Sequence, residues 1–387
     1  MKPIPYGKQH ISEQDIESLV SVLQEDFLTQ GPKVNEFEEK FAQYVGSNYA
    51  VAVSNGTAAL HLSALALGVN QKSKVITSPI TFAASANCIR YCGGEVEFCD
   101  INPDTLCLDI SKVRKKLESA PRGTYQGIIP VDFAGYAVDM ESFRKLADEY
   151  GLWILEDSCH APGGFFRDKN NDIQKCGGGS FADAAIFSFH PVKHIACGEG
   201  GMITTNNQKI YEKLLLLRSH GITKDPNKIK NNNEGWYYEM QELGFNYRIP
   251  DILCALGISQ LKTAKAKLQK RKLIAERYIR AFKNTNVKVP SANLAEGHAF
   301  HLFVIQIENR LDLYNYLKEH NILCQVHYIP IHQLPYYSKL YGSQSFPEAE
   351  SYYQSCLSLP IFPSLTQDEQ EYIIDKITSF YSQKISK

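Results

Sequence analysis

Lys193 is the residue in this chain best placed for covalent chemistry. It stands in the stretch Phe187 to Gly201, FSFHPVKHIACGEGG, between an apolar, strand-like run and glycines where the backbone can approach a ligand closely. Desolvation lowers the pKa of such a lysine, and the neutral amine forms a Schiff base with an aldehyde. Residues upstream, each near the end of an expected strand, suit a phosphorylated heteroaromatic partner. Asn55-Gly56-Thr57 follows a strand and opens a helix, so its amides and the helix dipole would hold a phosphate. Ser188, five residues before Lys193, would add a hydroxyl to that cup. Glu156-Asp157 ends the apolar run LWIL, where a carboxylate would keep a pyridine nitrogen protonated and the ring ready to accept carbanion electrons. Phe82 brings an aromatic face to the same sheet edge, and His160 would reach a ring hydroxyl. Each has a plainer alternative taken singly: a helix cap, a solvated acid, a core phenylalanine, a structural histidine.

Other chemistries lack their signatures. Neither GxxxxGK[ST] nor a strand-linked GxGxxG is present, and the GEGG of residues 198 to 201 has the wrong spacing for either. His190 and His194 have the i, i+4 spacing of a helical metal pair, but Pro191 between them argues against one continuous helix. The ten cysteines are scattered with no zinc spacing, which favours free thiols and no metal site. With 41 basic and 42 acidic residues the formal net charge is −1, so no global field would draw nucleic acid or an anionic membrane. MKPIPYGKQH has no apolar leader segment and no run of eighteen apolar residues occurs, from which a cytoplasmic enzyme is expected.

The elements that must position these residues follow from periodicity. Helices are expected over residues 12–24 and 34–44, with the loop DFLTQG between them. Strand, turn and helix then alternate: YAVAVS, NGT and a helix ending at Gly68; KVITS and FAASANCIRYC; EVEFCD; QGIIPVDF and a helix from Met140 to Tyr150; LWILED. Apolar strands separated by helices imply an α/β fold, with a mainly parallel sheet covered on both faces and ligands beyond the strands' carboxyl ends. The polar segment from Asp225 to Trp236 reads as a loop or flap. A long helical stretch from Asp251 to Phe282 leads into a shorter mixture, HAFHLFVIQI, LDLYNYLKEH and a final helix from Gln367. The length of 387 residues suggests two or three domains, and the change of pattern divides the chain into a large one over residues 1–250 and a smaller C-terminal α+β domain over 251–387.

SNGTAAL, SPITFAAS, EDSCHAPGG, FSFHPVKHIACGEGG and LGFNYRIPDILCALG resemble, in order and over nearly the whole chain, the DegT/StrS-type nucleotide-sugar aminotransferases. These are pyridoxal 5'-phosphate enzymes of fold type I. The resemblance implies that Lys193 forms the Schiff base and Asp157 partners the pyridine nitrogen. It further implies that Phe82 stacks on the ring, that His160 contacts its hydroxyl, and that Gly56, Thr57 and Ser188 hold the phosphate. Asn246 of GFNYR would reach that phosphate from the second chain of a homodimer. HPVK, PYGKQHI and VHYIPIHQLPYY look most like the branch that makes pseudaminic acid precursors, moving the amino group of L-glutamate to C4 of a UDP-linked 4-keto-6-deoxy-N-acetyl sugar. By the same resemblance Tyr6, the loop Asp26, Phe27, Leu28 and Thr29, and the segment His327, Tyr328, Ile329 and Pro330 would line the sugar pocket, with Gly56 and Ser188 at its floor. Relatives that carry histidine in place of the Schiff-base lysine are sugar dehydratases; Lys193 disfavours that branch, although His194 lies beside it. The same chemistry on a bacillosamine or perosamine precursor is the nearest alternative. A non-catalytic cofactor-binding regulator is the alternative of another class, and no helix-turn-helix appendage supports it.

Overall fold

Alternating apolar runs become the strands of one central sheet. The computed structural model describes residues 2–230, 234–291 and 296–385. In chain order the strands are β1 (Tyr49–Val53), β2 (Lys74–Thr77), β3 (Glu95–Phe98), β4 (Gly127–Ile129), β5 (Trp153–Asp157), β6 (Ala184–Ser188) and β7 (Gly201–Thr205). They lie side by side as β1-β7-β6-β5-β4-β2-β3. Only β7 runs antiparallel to its neighbours, returning from the Lys193 loop between β6 and β1. The mainly parallel α/β sheet expected from the sequence is therefore present.

Both sheet faces are covered, which is why these strands are apolar throughout instead of alternating with polar residues. Val75, Ile129, Leu155 and Ile186 point to one face. Their neighbours Ile76, Ile128 and Ile154 point to the other. The first face is filled by the helix α1 (Gly56–Ala66), whose eleven residues are mostly buried and apolar nearly all round, as suits a helix in the middle of a protein. Asn55 caps it, accepting the Ala58 amide at 2.8 Å. The opposite face takes α2 (Ile110–Glu118) and α3 (Met140–Tyr150), each with one apolar stripe.

The C-terminal part has its own core. Strands β8 (Phe303–Gln306) and β9 (Cys356–Leu359) pair antiparallel, and Ile274, Tyr278, Phe303, Leu313, Leu359 and Ile373 close around them. Ile4 from the N-terminus joins this core. The long helical stretch expected from Asp251 to Phe282 is made of two helices, Asp251–Lys262 and Ala264–Phe282, because Thr263 leaves helical geometry at φ −104°, ψ 0°. The first of the two packs with Val34, Phe37 and Phe41 against the large sheet, through Cys254 and Ile258. We therefore propose a division between the two parts at Thr263 in place of residue 250. The expected flap has neither helix nor strand among its described residues; 231–233 lie outside them. All ten cysteines are free.

One long-range contact ties the N-terminal loop to this junction. Asp251, fully buried, accepts the amides of Gly31 at 2.8 Å and Lys33 at 2.9 Å, and so caps the helix Pro32–Val45 from 220 residues away. Its own amide donates to the carbonyl of Leu28 at 3.0 Å, fixing the Asp26 to Thr29 loop. Asp251→Ala would leave two partly buried donors without their acceptor, so stability should fall by about 1–3 kcal/mol. Chemical denaturation should show a lowered midpoint with an unchanged slope.

Candidate active site

The carboxyl ends of the central strands open onto a cavity of about 950 Å3, within the size range of small-molecule sites. Tyr6, Gly56, Thr57, Phe82, Asp157, His160, Ser188, Lys193, His327, Tyr328 and Ile329, all singled out from the sequence, line it. Asp26, Phe27, Leu28 and Thr29 do not; they form the exposed loop anchored by Asp251. Pro330 is buried just beyond the wall, where the next amide, of Ile331, donates to the Pro79 carbonyl at 2.9 Å. Asn246 is exposed outside this cavity, in a backbone bridge to Ser219.

Asp157 ends β5 with its carboxylate 4% exposed. Ser85 donates to Oδ2 at 2.7 Å and the Cys159 amide to Oδ1 at 3.2 Å. Because the one Ser85 proton is committed there, Thr81 must donate to Ser85, at 2.8 Å. Among the described residues no cationic side chain forms an ion pair with this buried carboxylate, although its charge and that of the Lys193 amine act on each other. Sequence reading missed Ser85 and Thr81, although SPITFAAS contained both.

His160 is held as one tautomer. The Ala134 amide donates to Nδ1 at 3.2 Å, which puts the ring proton on Nε2, facing the Tyr328 hydroxyl at 3.3 Å. Burial first, then the nearby Lys193 charge, holds His160 well below the usual imidazole range. Burial likewise pulls His327 down to about 3, and the lysine adds to it. Its Nδ1 sits 2.9 Å from the Ser358 hydroxyl and its ring 5.1 Å from that of Tyr6.

Lys193 projects from the β6–β7 connection into the cavity, its pKa lowered chiefly by burial. His194 turns the other way and donates through Nε2 to the Ala299 carbonyl at 2.8 Å. The amine in the cavity is therefore that of Lys193, with no imidazole in its place.

At the phosphate-cup position the Asn55 side chain and carbonyl take the amides of Ala58 and Ala59, leaving those of Gly56 and Thr57 without partners among the described residues at the helix N-terminus. A Cβ on Gly56 would meet Ser188 Cβ at 2.9 Å, and one on Gly201 would meet the Asn55 carbonyl oxygen at 2.4 Å. These contacts require glycine at both positions. Helix N-terminal amides, a hydroxyl, a buried carboxylate and a lysine amine fit pyridoxal phosphate, with Phe82 61% exposed at the rim as a stacking face.

The sequence matches the DegT/DnrJ/EryC1/StrS aminotransferase family over residues 9–378. The chain belongs to that family. It is 36% identical over 395 residues to the UDP-4-amino-4,6-dideoxy-N-acetyl-beta-L-altrosamine transaminase of Campylobacter jejuni, covering 99% of both chains. Helicobacter pylori PseC, an aminotransferase involved in the biosynthesis of pseudoaminic acid, superposes with a TM-score of 0.89 at 30% identity, over 99% of this chain and 100% of that one. The PLP-form of a putative sugar aminotransferase, Spr1654 of Streptococcus pneumoniae, gives 0.87 at 27% identity over 98% and 99%. The protein is thus a sugar aminotransferase of fold type I, and its cofactor is pyridoxal phosphate. No helix among the described residues is long and apolar enough to cross a membrane.

Behind Asp157 the strand's opposite face carries a second carboxyl group. Glu156, Asp132 and Cys176 are buried with their ligand atoms within 4.8 Å of one another. Asp132 accepts from the Val138 amide at 3.0 Å and the Ser158 hydroxyl at 2.7 Å, and Glu156 from the Gly177 amide at 3.1 Å. Burial pushes the Asp132 carboxyl up to about 6, while burial and the Asp132 charge push Glu156 well above its ordinary value. The pair holds a proton that the unfolded chain releases near pH 4, so its contribution to stability is present at low pH. It is lost as pH rises from about 4, through about 6 for Asp132 and on to higher pH for Glu156. Asp132→Asn removes one charge and keeps an acceptor for Val138. Relative to wild type the variant should gain stability with rising pH, by about 1–3 kcal/mol between pH 5 and pH 8, as read by denaturant unfolding at each pH.

Proposed function

We propose that the chain works as a homodimer and moves the amino group of L-glutamate to C4 of a UDP-linked 4-keto-6-deoxy-N-acetyl sugar, as a UDP-4-amino-4,6-dideoxy-N-acetyl-beta-L-altrosamine transaminase. The convergence of Lys193, Asp157 and the His327–Tyr328 wall on one cavity carries the reading. When bound, pyridoxal phosphate supplies an aldehyde that takes up amines and a ring that stores an electron pair. Lys193 would hold the cofactor, and once freed would move the proton between substrate carbon and cofactor carbon. Asp157 would pair with the ring nitrogen and His160 with the ring hydroxyl, while Gly56, Thr57 and Ser188 would hold the phosphate.

The sugar side rests on Tyr6, His327, Tyr328 and Ile329. Since His160 presents its ring proton to Tyr328, the tyrosine's own proton is free to point at a ligand oxygen. The homologous identity supports a nucleotide sugar; the C4 keto sugar of this configuration is the specific proposal. Purified protein supplied with glutamate and a panel of UDP- and dTDP-linked 4-keto sugars should convert the 4-keto-6-deoxy-N-acetyl altrose-type sugar with the highest kcat/KM, scored by product mass. A preference for a bacillosamine or perosamine precursor would replace the sugar assignment, and no turnover with any of them would remove it.

Two exposed apolar tracts support the dimer. Ile16, Val20, Leu23 and Phe27 form a stripe along the helix Glu13–Leu23 and the loop after it, and Trp236, Tyr238, Met240 and Leu243 lead up to Asn246. Patches of this kind on a soluble chain mark contact surfaces. We assign Asn246, and the Asp26 to Thr29 loop, to the partner's site. A dimer mixed from Lys193→Ala and Asn246→Asp chains would then hold one doubly damaged site and one intact site. Isolated with two affinity tags, it should have close to half of wild-type activity. Activity no higher than that of the two variant homodimers would contradict the shared site.

A further inference from the structure

His301 stands closer to the Lys193 amine than its place in an apolar run suggested, with Nε2 3.5 Å from Nζ. That separation is at the outer limit of a hydrogen bond, and such contacts commonly tighten when a site is occupied. The ring is buried and tilts over that of His160, with centroids 4.3 Å apart. Its Nδ1 is buried and has no partner among the described residues. The backbone beneath is fixed from three sides. Arg271, 1% exposed, donates through Nη1 to the carbonyls of Phe300, His301 and Ile361 at 3.3, 3.2 and 2.9 Å. Phe300 is held at φ +47°, a left-handed conformation unusual for an aromatic residue. Gly135 crosses so closely that a Cβ there would lie 2.8 Å from the Phe300 nitrogen and 3.0 Å from that of His301.

We propose that His301 is a positioning residue for Lys193, accepting a hydrogen bond from Nζ through Nε2 so that the amine's lone pair faces the cavity. This rests on the reading that Lys193 carries the cofactor. An amine that donates to a fixed acceptor on one side presents its lone pair elsewhere, which is the orientation needed to receive a proton from a substrate carbon. The acceptor role requires a neutral imidazole with its proton on Nδ1. Burial, reinforced by the lysine charge, keeps His301 neutral. Asp157, Cys159, His160, His194, His327 and Arg271 complete the titratable and charged groups around this pair. The histidines among them are likewise held neutral by burial.

A neutral acceptor stabilises the ammonium, so its removal lowers the Lys193 pKa. In cofactor-free protein, the pH dependence of Lys193 acylation, read by peptide mass spectrometry, should shift down by about one unit in His301→Leu. In the same variant, loaded with cofactor, kcat should fall about tenfold or more while the glutamate KM stays within about threefold. His301→Gln, whose amide oxygen reaches the Nε2 position, should recover most of both. His301→Asn, which reaches only the Nδ1 position, should behave like leucine and serves should the leucine variant not fold. An unshifted Lys193 titration with unchanged kcat in the leucine or asparagine variant would overturn the proposal, as would a glutamine variant as damaged as the other two. Loss of the visible cofactor band in Lys193→Ala distinguishes the two levels. If the band needs Lys193 and the His301 variants are unshifted, only the His301 role fails; if the band survives without Lys193, the underlying reading fails with it.

Discussion

The site depends on a buried carboxylate held by neutral donors, with no ion pair to it among the described residues. Asp157 is oriented by Ser85 and by the Cys159 amide, both neutral, and burying an anion in this way is costly unless a cation completes the arrangement. A protonated ring nitrogen would be that cation. In the proposed role the carboxylate would pair with that nitrogen and favour the electron-accepting form of the ring. The parallel sheet makes this possible. Strand β5 delivers Asp157 to the cavity and Glu156 to the opposite face, where Glu156 and Asp132 hold a proton instead of adding a second charge behind the site.

Lys193 adds the complementary element. The histidines around it, from the β5 end, from the segment before β8 and from the 327–328 wall, are all kept neutral by burial. They contribute dipoles and acceptors without repelling the lysine further. The C-terminal part therefore does more than close a lid over the sheet: His301 and His327 come from it, while Arg271 fixes the backbone that presents His301.

Much of this was legible in the sequence because the informative residues sit at strand ends, where period and chemistry change together. Asn55-Gly56-Thr57, Asp157 and Lys193 could be placed at one sheet edge from the apolar runs before them, and the structure gathers them around one cavity. Other features depend on tertiary contact alone. Asp132, Glu156 and Cys176 are separated by 24 and 20 residues, and no local pattern announces that their side chains meet. His301 lies in HAFHLFVIQI, where a histidine reads as core. The break at Thr263 carries neither glycine nor proline, so helical periodicity ran through it. The Asp26 to Thr29 loop and Asn246 lie outside the cavity of their own chain, so the fold of one chain gives them no place in it.

The Asp157 charge is tested most directly by the glutamate half-reaction on its own, without sugar, in a stopped-flow spectrophotometer. Wild-type protein should lose its visible cofactor band on mixing with glutamate and release one 2-oxoglutarate per subunit. Asp157→Asn, which preserves shape and removes the charge, should bind the cofactor within about tenfold of wild type and yet carry out this step at least about a hundredfold more slowly. A rate close to wild type in the asparagine variant would contradict the account.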